Sequence, residues 1–366
     1  MPKFLRLTLC FFFLVLLAFG SWFSYQRYRH HQVSASLLIP PGSPSQTFLI
    51  DKHTSATKLA YLLKEKHLFH SPTLFLEYIA WRGIAHQLKA GAYCIEPGES
   101  VSEFLDKVIK GDTLIETFAV IEGTTVSQVS TRLKNARFLN YQETDWNSLH
   151  YPEYPPNLPM PPNLPEGLLL TDTYHYRAGT DAKNLLQVAN QHLLNYLNEC
   201  WKNRASNLPY TTPYELLIAA SIVERETALP EEKPLIASVI VNRLKRKMPL
   251  QMDPTVIYAL GSRYEGKLKH ADLSIDSFYN TYRYRGLPPT PIAMVGKAAL
   301  DATAHPQQTH YLYFVAKGDG SHKFSVNYDQ QRQAISEYAR GQRRVLHMNE
   351  HLTPEDIQGV PYDDPR

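Results

Sequence analysis

Residues 212–227, TPYELLIAASIVERET, bring a carboxylate to the end of an apolar run. Glu224 falls on the same helical face as Leu217, Ala220 and Ser221, by the three- and four-residue spacing of a helix. A carboxyl among such neighbours has its charged form disfavoured, so its pKa rises toward the working pH. That is what a general acid needs. The plainer alternative is a glutamate paired with Arg225 or Arg243, since structural ion pairs also perturb carboxylates. Further polar groups stand in loops where side chains can converge on a ligand. Gln251 and Asp253 precede Pro254 in extended or turn backbone, and Asn280 and Tyr282 add an amide and a phenol. Each has a bland reading too: Asp253 as a turn former or helix cap, Asn280 as a partner of local backbone.

Other chemistries find little support. There is no HExxH and no Cys/His cluster, so no metal or other cofactor is expected. Ser221 lacks a histidine at a spacing that would activate it, which argues against a serine hydrolase. The net charge of +3 is too small and scattered to suggest nucleic acid, and no Gly-rich loop opens a helix to hold phosphate. The 23 tyrosines offer flat faces with a hydroxyl, which suits sugars and ordinary packing alike.

The elements that must position these groups are well signalled. Thr212 reads as an N-cap, Pro213 takes the first helical position, and Glu215 stands where a capping box needs it. The apolar residues 216–223 leave this helix no polar face and predict its burial. Helices are also predicted near 182–204, 231–247 and 334–344. Strands are predicted at 309–316 and 322–326, joined by a Gly318-Asp-Gly turn. Upstream, residues 46–140 hold a degenerate repeat of strand, turn, Ser/Thr cap and amphipathic helix, in three copies starting at Phe48, Tyr93 and Phe118. Seven prolines between Tyr151 and Pro165 predict a semi-rigid linker, set within residues 141–165.

At the N-terminus, residues 7–25 run for 19 positions without a charge, enough to cross a ~30 Å hydrocarbon core. With Lys3 and Arg6 before it and Trp22 and Phe23 at its far end, it reads as an uncleaved single-pass anchor, with a cleaved signal peptide as the alternative. The expected organisation is a short tail (1–6), the anchor, a polar spacer (26–45), the repeats, the linker, a catalytic domain (166–346) and a polar tail (347–366). The fold class is α+β throughout the body. Cys10 lies in the span, which leaves Cys94 and Cys200 to pair or stay free.

Taken in order, several pieces resemble the MltG/YceG-like endolytic murein transglycosylase family. They are Glu166-Gly with Asp172-Thr-Tyr, Ser221-Ile-Val-Glu-Arg-Glu-Thr, Val241-Asn-Arg-Leu, Leu250-Gln-Met-Asp-Pro-Thr-Val-Ile-Tyr, Tyr279-Asn-Thr-Tyr, Gly286-Leu-Pro-Pro, and Tyr311-Leu-Tyr-Phe-Val with His322 and Phe324. The resemblance implies LysM-like modules in the repeats and a body in the periplasm, anchored to the bacterial inner membrane. It implies internal cleavage of peptidoglycan glycan strands, with peptidoglycan synthases as further partners. Glu224 matches the family's catalytic glutamate, while Glu226, Gln251, Asp253, Asn280 and Tyr282 fall where substrate would bind. Met252, Thr290, Leu170-Thr171 and Met294-Val-Gly depart from the usual pattern. A lytic transglycosylase needs one carboxyl that first protonates the bridging oxygen and then accepts the proton of the MurNAc C6 hydroxyl. Two other readings stay open: a muramidase in which Asp253 or Glu226 activates water, and a silent peptidoglycan-binding scaffold.

Overall fold

The computed structural model describes residues 3–153 and 165–349, with side chains described for 11–153 and 165–338. The proline-rich stretch 154–164 and the tail beyond 349 lie outside the described residues. The chain forms two compact units with interleaved sequence. One comprises 1–118, 135–141 and 175–182; the other comprises 119–134, 142–174 and 183–366. The chain thus passes between them five times, and one passage falls inside the third repeat. The α+β class holds, with helices predominating over three two-stranded sheets among the described residues.

The first unit opens with α1 (Lys3–Ala35), one continuous helix of 33 residues. The expected spacer therefore begins as helix rather than as free chain. Val33, Leu38 and Ile39 are buried, Arg29 pairs with Glu77 at 2.8 Å, and the His30 and Trp81 rings stack. Cys10 and its neighbours at the start of the expected span lie outside the described side chains. Among the described residues, no helix is long and apolar enough to cross a membrane.

The first two repeats follow their patterns. In the first, β1 (Gln46–Ile50) leads through the Ser55 cap into α2 (Ala56–Glu65). Next comes α3 (Pro72–Arg82), whose Ser71 cap and leading proline are ordinary start signals. In the second repeat, β2 (Gly91–Ile95) leads into α4 (Val101–Lys110) through a complete capping box of Ser100 and Glu103. Strands β1 and β2 pair antiparallel with Phe48 opposite Tyr93, and Phe104 meets both rings edge-on. Leu59, Leu63, Phe75, Ile79 and Leu105 close this core. The third repeat is β3 (Ile115–Val120) and α5 (Val126–Lys134), with β3 paired to β4 (Asp172–Arg177).

The second unit carries α6 (Ala182–Asn203), α7 (Pro213–Glu226), α8 (Lys233–Lys245), α9 (Asp253–Leu260) and α10 (Lys297–Ala304). β5 (Tyr313–Ala316) and β6 (His322–Ser325) pair antiparallel, and α11 (Tyr328–Asn349) packs on both. Ten residues of α7 are buried, and α8, α9 and α10 pack around it. Each fully buried Leu, Ile or Val there contributes about 1.5–3 kcal/mol. Cys94 and Cys200 are both free thiols.

One turn of this unit depends on glycine. Gly167 has φ +73°, and a Cβ there would lie 2.4 Å from Pro291 Cβ and 3.2 Å from the Ala293 carbonyl. Gly167→Ala should therefore cost about 2–4 kcal/mol, from left-handed strain and overpacking together. Chemical denaturation at neutral pH checks this, and a loss below about 0.5 kcal/mol would mean that the turn relaxes freely.

Candidate active site

The site is built on the last turn of α7. Thr212 Oγ1 accepts from the Glu215 amide at 3.3 Å, as the expected cap requires. Glu215 itself turns to Thr211 rather than to Thr212, so the capping box closes one residue early. Ser221 Oγ donates to the Ile218 carbonyl and accepts from the Ile292 amide, so it joins α7 to the loop before α10 and has no catalytic geometry. The helix ends at Glu226 because Thr227 is extended, with φ −144° and ψ 139°.

Glu224 and Glu226 are two positions apart, about 200° around the helix, and meet different surroundings. Glu224 lies in a buried ion pair with Lys233, the side chains being 4% and 5% exposed, and its second oxygen accepts from the Gly296 amide at 2.8 Å. The expectation of a carboxyl surrounded by apolar groups alone is thus altered by a cation from the first turn of α8. Glu226 is half-buried and hydrogen-bonds to nothing in the described chain. Burial first, and then the Asp253 carboxylate, push its pKa up to about 8, against the smaller opposing pull of Arg225 and Arg243. Glu226 is thus held protonated at neutral pH.

Around Glu226 stand most of the residues expected to bind substrate. Asp253, in the first turn of α9, accepts from the Tyr282 hydroxyl at 2.5 Å. Burial, and then that hydrogen bond, raise the Tyr282 phenol well above its ordinary range, so it remains a donor. Gln251 is exposed and has φ +51°, a left-handed conformation that costs a non-glycine residue about 1–3 kcal/mol. Two contacts hold it there: its amide donates to the Thr281 carbonyl at 3.1 Å, and its Oε1 accepts from Arg243 Nη1 at 3.1 Å. Arg243 is 6% exposed, lies beside the Tyr313 ring, and also donates to the carbonyls of Leu250 and Leu312.

Asn280 is the exception. It is fully buried, its Nδ2 donates to the Leu273 and Ile275 carbonyls, and its Oδ1 accepts from the Tyr282 amide. All its hydrogen-bonding capacity goes to the loop, so it positions Tyr282 and offers no amide to a ligand. Glu166 is likewise internal: it accepts from the Val126 amide and the Tyr258 hydroxyl, and burial raises its pKa to about 7. His322 is held by Glu232 at 2.7 Å, and Glu232 also accepts from the His322 amide. Burial raises the Glu232 pKa, but the His322 hydrogen bonds outweigh it and leave the carboxyl below its usual range. Sequence reasoning missed Lys233, and it met Arg243 only as a possible partner for Glu224 and as part of the Val241-Asn-Arg-Leu piece. Neither has a local signature, because both act across gaps that only packing closes.

A protonated native Glu226 has a consequence for stability. Between its ordinary value of 4.5 and about 8, the folded state binds more protons than the unfolded chain, so this group's contribution falls as pH rises through that window. Below 4.5 both states are protonated and the penalty vanishes. Glu226→Gln should therefore gain stability over the native chain as pH goes from 5 to 8 and level off above. Thermal unfolding across that range checks it; a gap that is flat or shrinks with pH would refute a raised Glu226.

The family model described as the YceG-like family matches residues 48–337. An endolytic murein transglycosylase of Bacillus subtilis (strain 168) is 32% identical over 325 residues, covering 83% of this chain and 88% of that protein. One of Streptococcus pneumoniae serotype 2 (strain D39 / NCTC 7466) is 28% identical over 340 residues, covering 83% of this chain but only 59% of that longer protein. A crystal structure of a yceG-like protein from Listeria monocytogenes is 26% identical, with a TM-score of 0.49, over 80% of this chain and 99% of that one.

Proposed function

The chain belongs to the YceG-like family, and we propose that it is an endolytic murein transglycosylase, a lyase acting on peptidoglycan glycan strands, with Glu226 as its acid/base. The observation that carries the assignment is the raised Glu226 carboxyl, set beside Asp253 and the Tyr282–Arg243–Gln251 group. Protonated Glu226 donates to the oxygen bridging MurNAc and GlcNAc. The resulting carboxylate accepts the proton of the MurNAc C6 hydroxyl, which closes on C1 and leaves a 1,6-anhydro end. A pKa near ambient pH serves both halves of this cycle. Asp253 keeps the acid protonated and places negative charge where the oxocarbenium-like state develops positive charge. Gln251 contacts the sugar's polar groups. Glu224, paired with Lys233, holds the frame in which Glu226 is aimed.

The strand–turn–helix units of the N-terminal part are read as LysM-like modules that hold glycan. Helix α1 is read as an inner-membrane anchor, with the body in the periplasm near the synthases whose strands it ends. What supports the anchor is a contiguous run of exposed apolar side chains that includes Phe11, Phe12, Phe13, Leu14, Leu16 and Phe19.

Mass spectrometry of products from uncrosslinked strands tests the chemistry. The native chain should leave anhydro ends, and Glu226→Gln should lower turnover at least about 100-fold. Turnover should also fall as pH rises through about 8, as Glu226 loses its proton. A paired Glu224→Gln/Lys233→Met change removes both buried charges together and should keep most of the activity. Activity in Glu226→Gln with loss in that double variant would return the role to Glu224. Reducing ends would favour a muramidase using the Glu226–Asp253 pair.

A further inference from the structure

Helix α8 presents Arg243 to the group around Glu226. Ser238, Asn242 and Lys245 point from it to another side, between about 100° and 160° around the axis from Arg243. On that second face lies a cavity of about 410 Å³, walled by α8, residues 205–208 and residues 306–310. Its walls are fixed by the fold. Asn242 Nδ2 donates to the carbonyls of Thr309 and Tyr311, Ser238 Oγ bonds Thr309 Oγ1 at 2.7 Å, and the Gln307 amide donates to the Pro234 carbonyl at 3.1 Å. On the other side, the Ala205 amide donates to the Ala304 carbonyl at 2.9 Å, and Asn207 is left-handed with φ +61°. A site whose walls are already in place costs little ordering entropy to fill.

The lining chemistry is selective. Among the described residues, no aspartate or glutamate lines the cavity. Among the described residues, the side chains of Asn207, Lys245, Gln307, Gln308 and His310 make no hydrogen bond or ion pair within the chain, so their donors are available to a ligand. Three carboxamides match the alternating donors and acceptors of a peptide backbone, and the Lys245 ammonium, with His310, matches a carboxylate. Neutral sugar would leave the ammonium without a partner. We infer that this cavity is a subsite for the acidic peptide stem of the glycan strand, separate from the cleavage site by the width of α8. The inference rests on the murein reading above and adds to it which part of the substrate is held. It gives the protein a way to distinguish strands that carry stems from strands that have been stripped.

The test uses the full chain in detergent and, as probe, stem peptide released from murein by an amidase, titrated calorimetrically. The native chain and Glu226→Gln should bind the peptide alike, and Lys245→Glu should weaken binding about tenfold, ~1.4 kcal/mol. Gln308→Ala should weaken it less, and Lys267→Glu, the same charge change at an exposed lysine outside the cavity, should not weaken it. In kinetics, Lys245→Glu should raise KM for stem-bearing strands relative to stripped strands at least about fivefold. No binding to the native chain at millimolar peptide, or equal binding by the native, Lys245→Glu and Gln308→Ala proteins, would overturn the subsite. The cleavage assignment fails by another observation, normal turnover in Glu226→Gln, which leaves the peptide titration to be judged by itself.

Discussion

The ion pair between Glu224 and Lys233 sits where α7 ends and α8 begins, almost wholly out of water. Two charges are stable there only because each is the other's partner and the Gly296 amide serves the remaining carboxylate oxygen. That arrangement fixes the turn between two helices and ties both to the start of α10. Once it is fixed, the next carboxyl along α7 has no choice of direction. Glu226 must face away from Lys233, toward α9 and the buried guanidinium of Arg243. The two glutamates of one short motif are therefore unlike by construction: one is neutralised inside the frame, the other is left without a hydrogen-bond partner at its edge.

Arg243 plays a similar part for the loop before α9. Its guanidinium meets three backbone carbonyls and the Gln251 side chain, so a left-handed residue is held by a planar fork rather than by glycine. Asn280 does the same for the loop that delivers Tyr282. Polar groups around Glu226 are thus oriented before any ligand arrives, and the strain at Gln251 is balanced by its contacts with Arg243 and the Thr281 carbonyl. Such a site answers weakly to changes in one exposed residue and strongly to changes that leave one member of a buried pair without its partner.

Much of this was legible in the sequence. The caps at Ser55, Ser100 and Thr212, the apolar run of α7 and the β5–β6 hairpin announce themselves because each depends on residues a few positions apart. The group of Gln251, Asp253 and Tyr282 was legible as composition, since those residue types cluster in loops beside a well-marked helix. What was hidden depends on contacts distant in sequence. Helical spacing places Glu224 and Glu226 on different faces, but only the packing of α8 and α9 says which face meets a cation. Asn280 looked like a ligand group because its burial is decided by Leu273 and Ile275 across a folded-back loop. The continuation of α1 to Ala35 was missed because Arg27, Arg29 and the two histidines read as solvated chain until Glu77 and Trp81 are brought against them.

The interleaving of the two units carries a consequence for how such a protein is made. The first unit includes residues 135–141, which the ribosome delivers only after 119–134, and residues 175–182, which follow 142–174. Its amino-terminal portion must wait, incomplete, while pieces of the other unit are synthesised. The closure entropy of the intervening loops grows only slowly with their length, so the delay is kinetic more than energetic. The same arrangement restricts inheritance: no single cut in the gene separates one unit from the other, so the pair passes between genomes together or not at all.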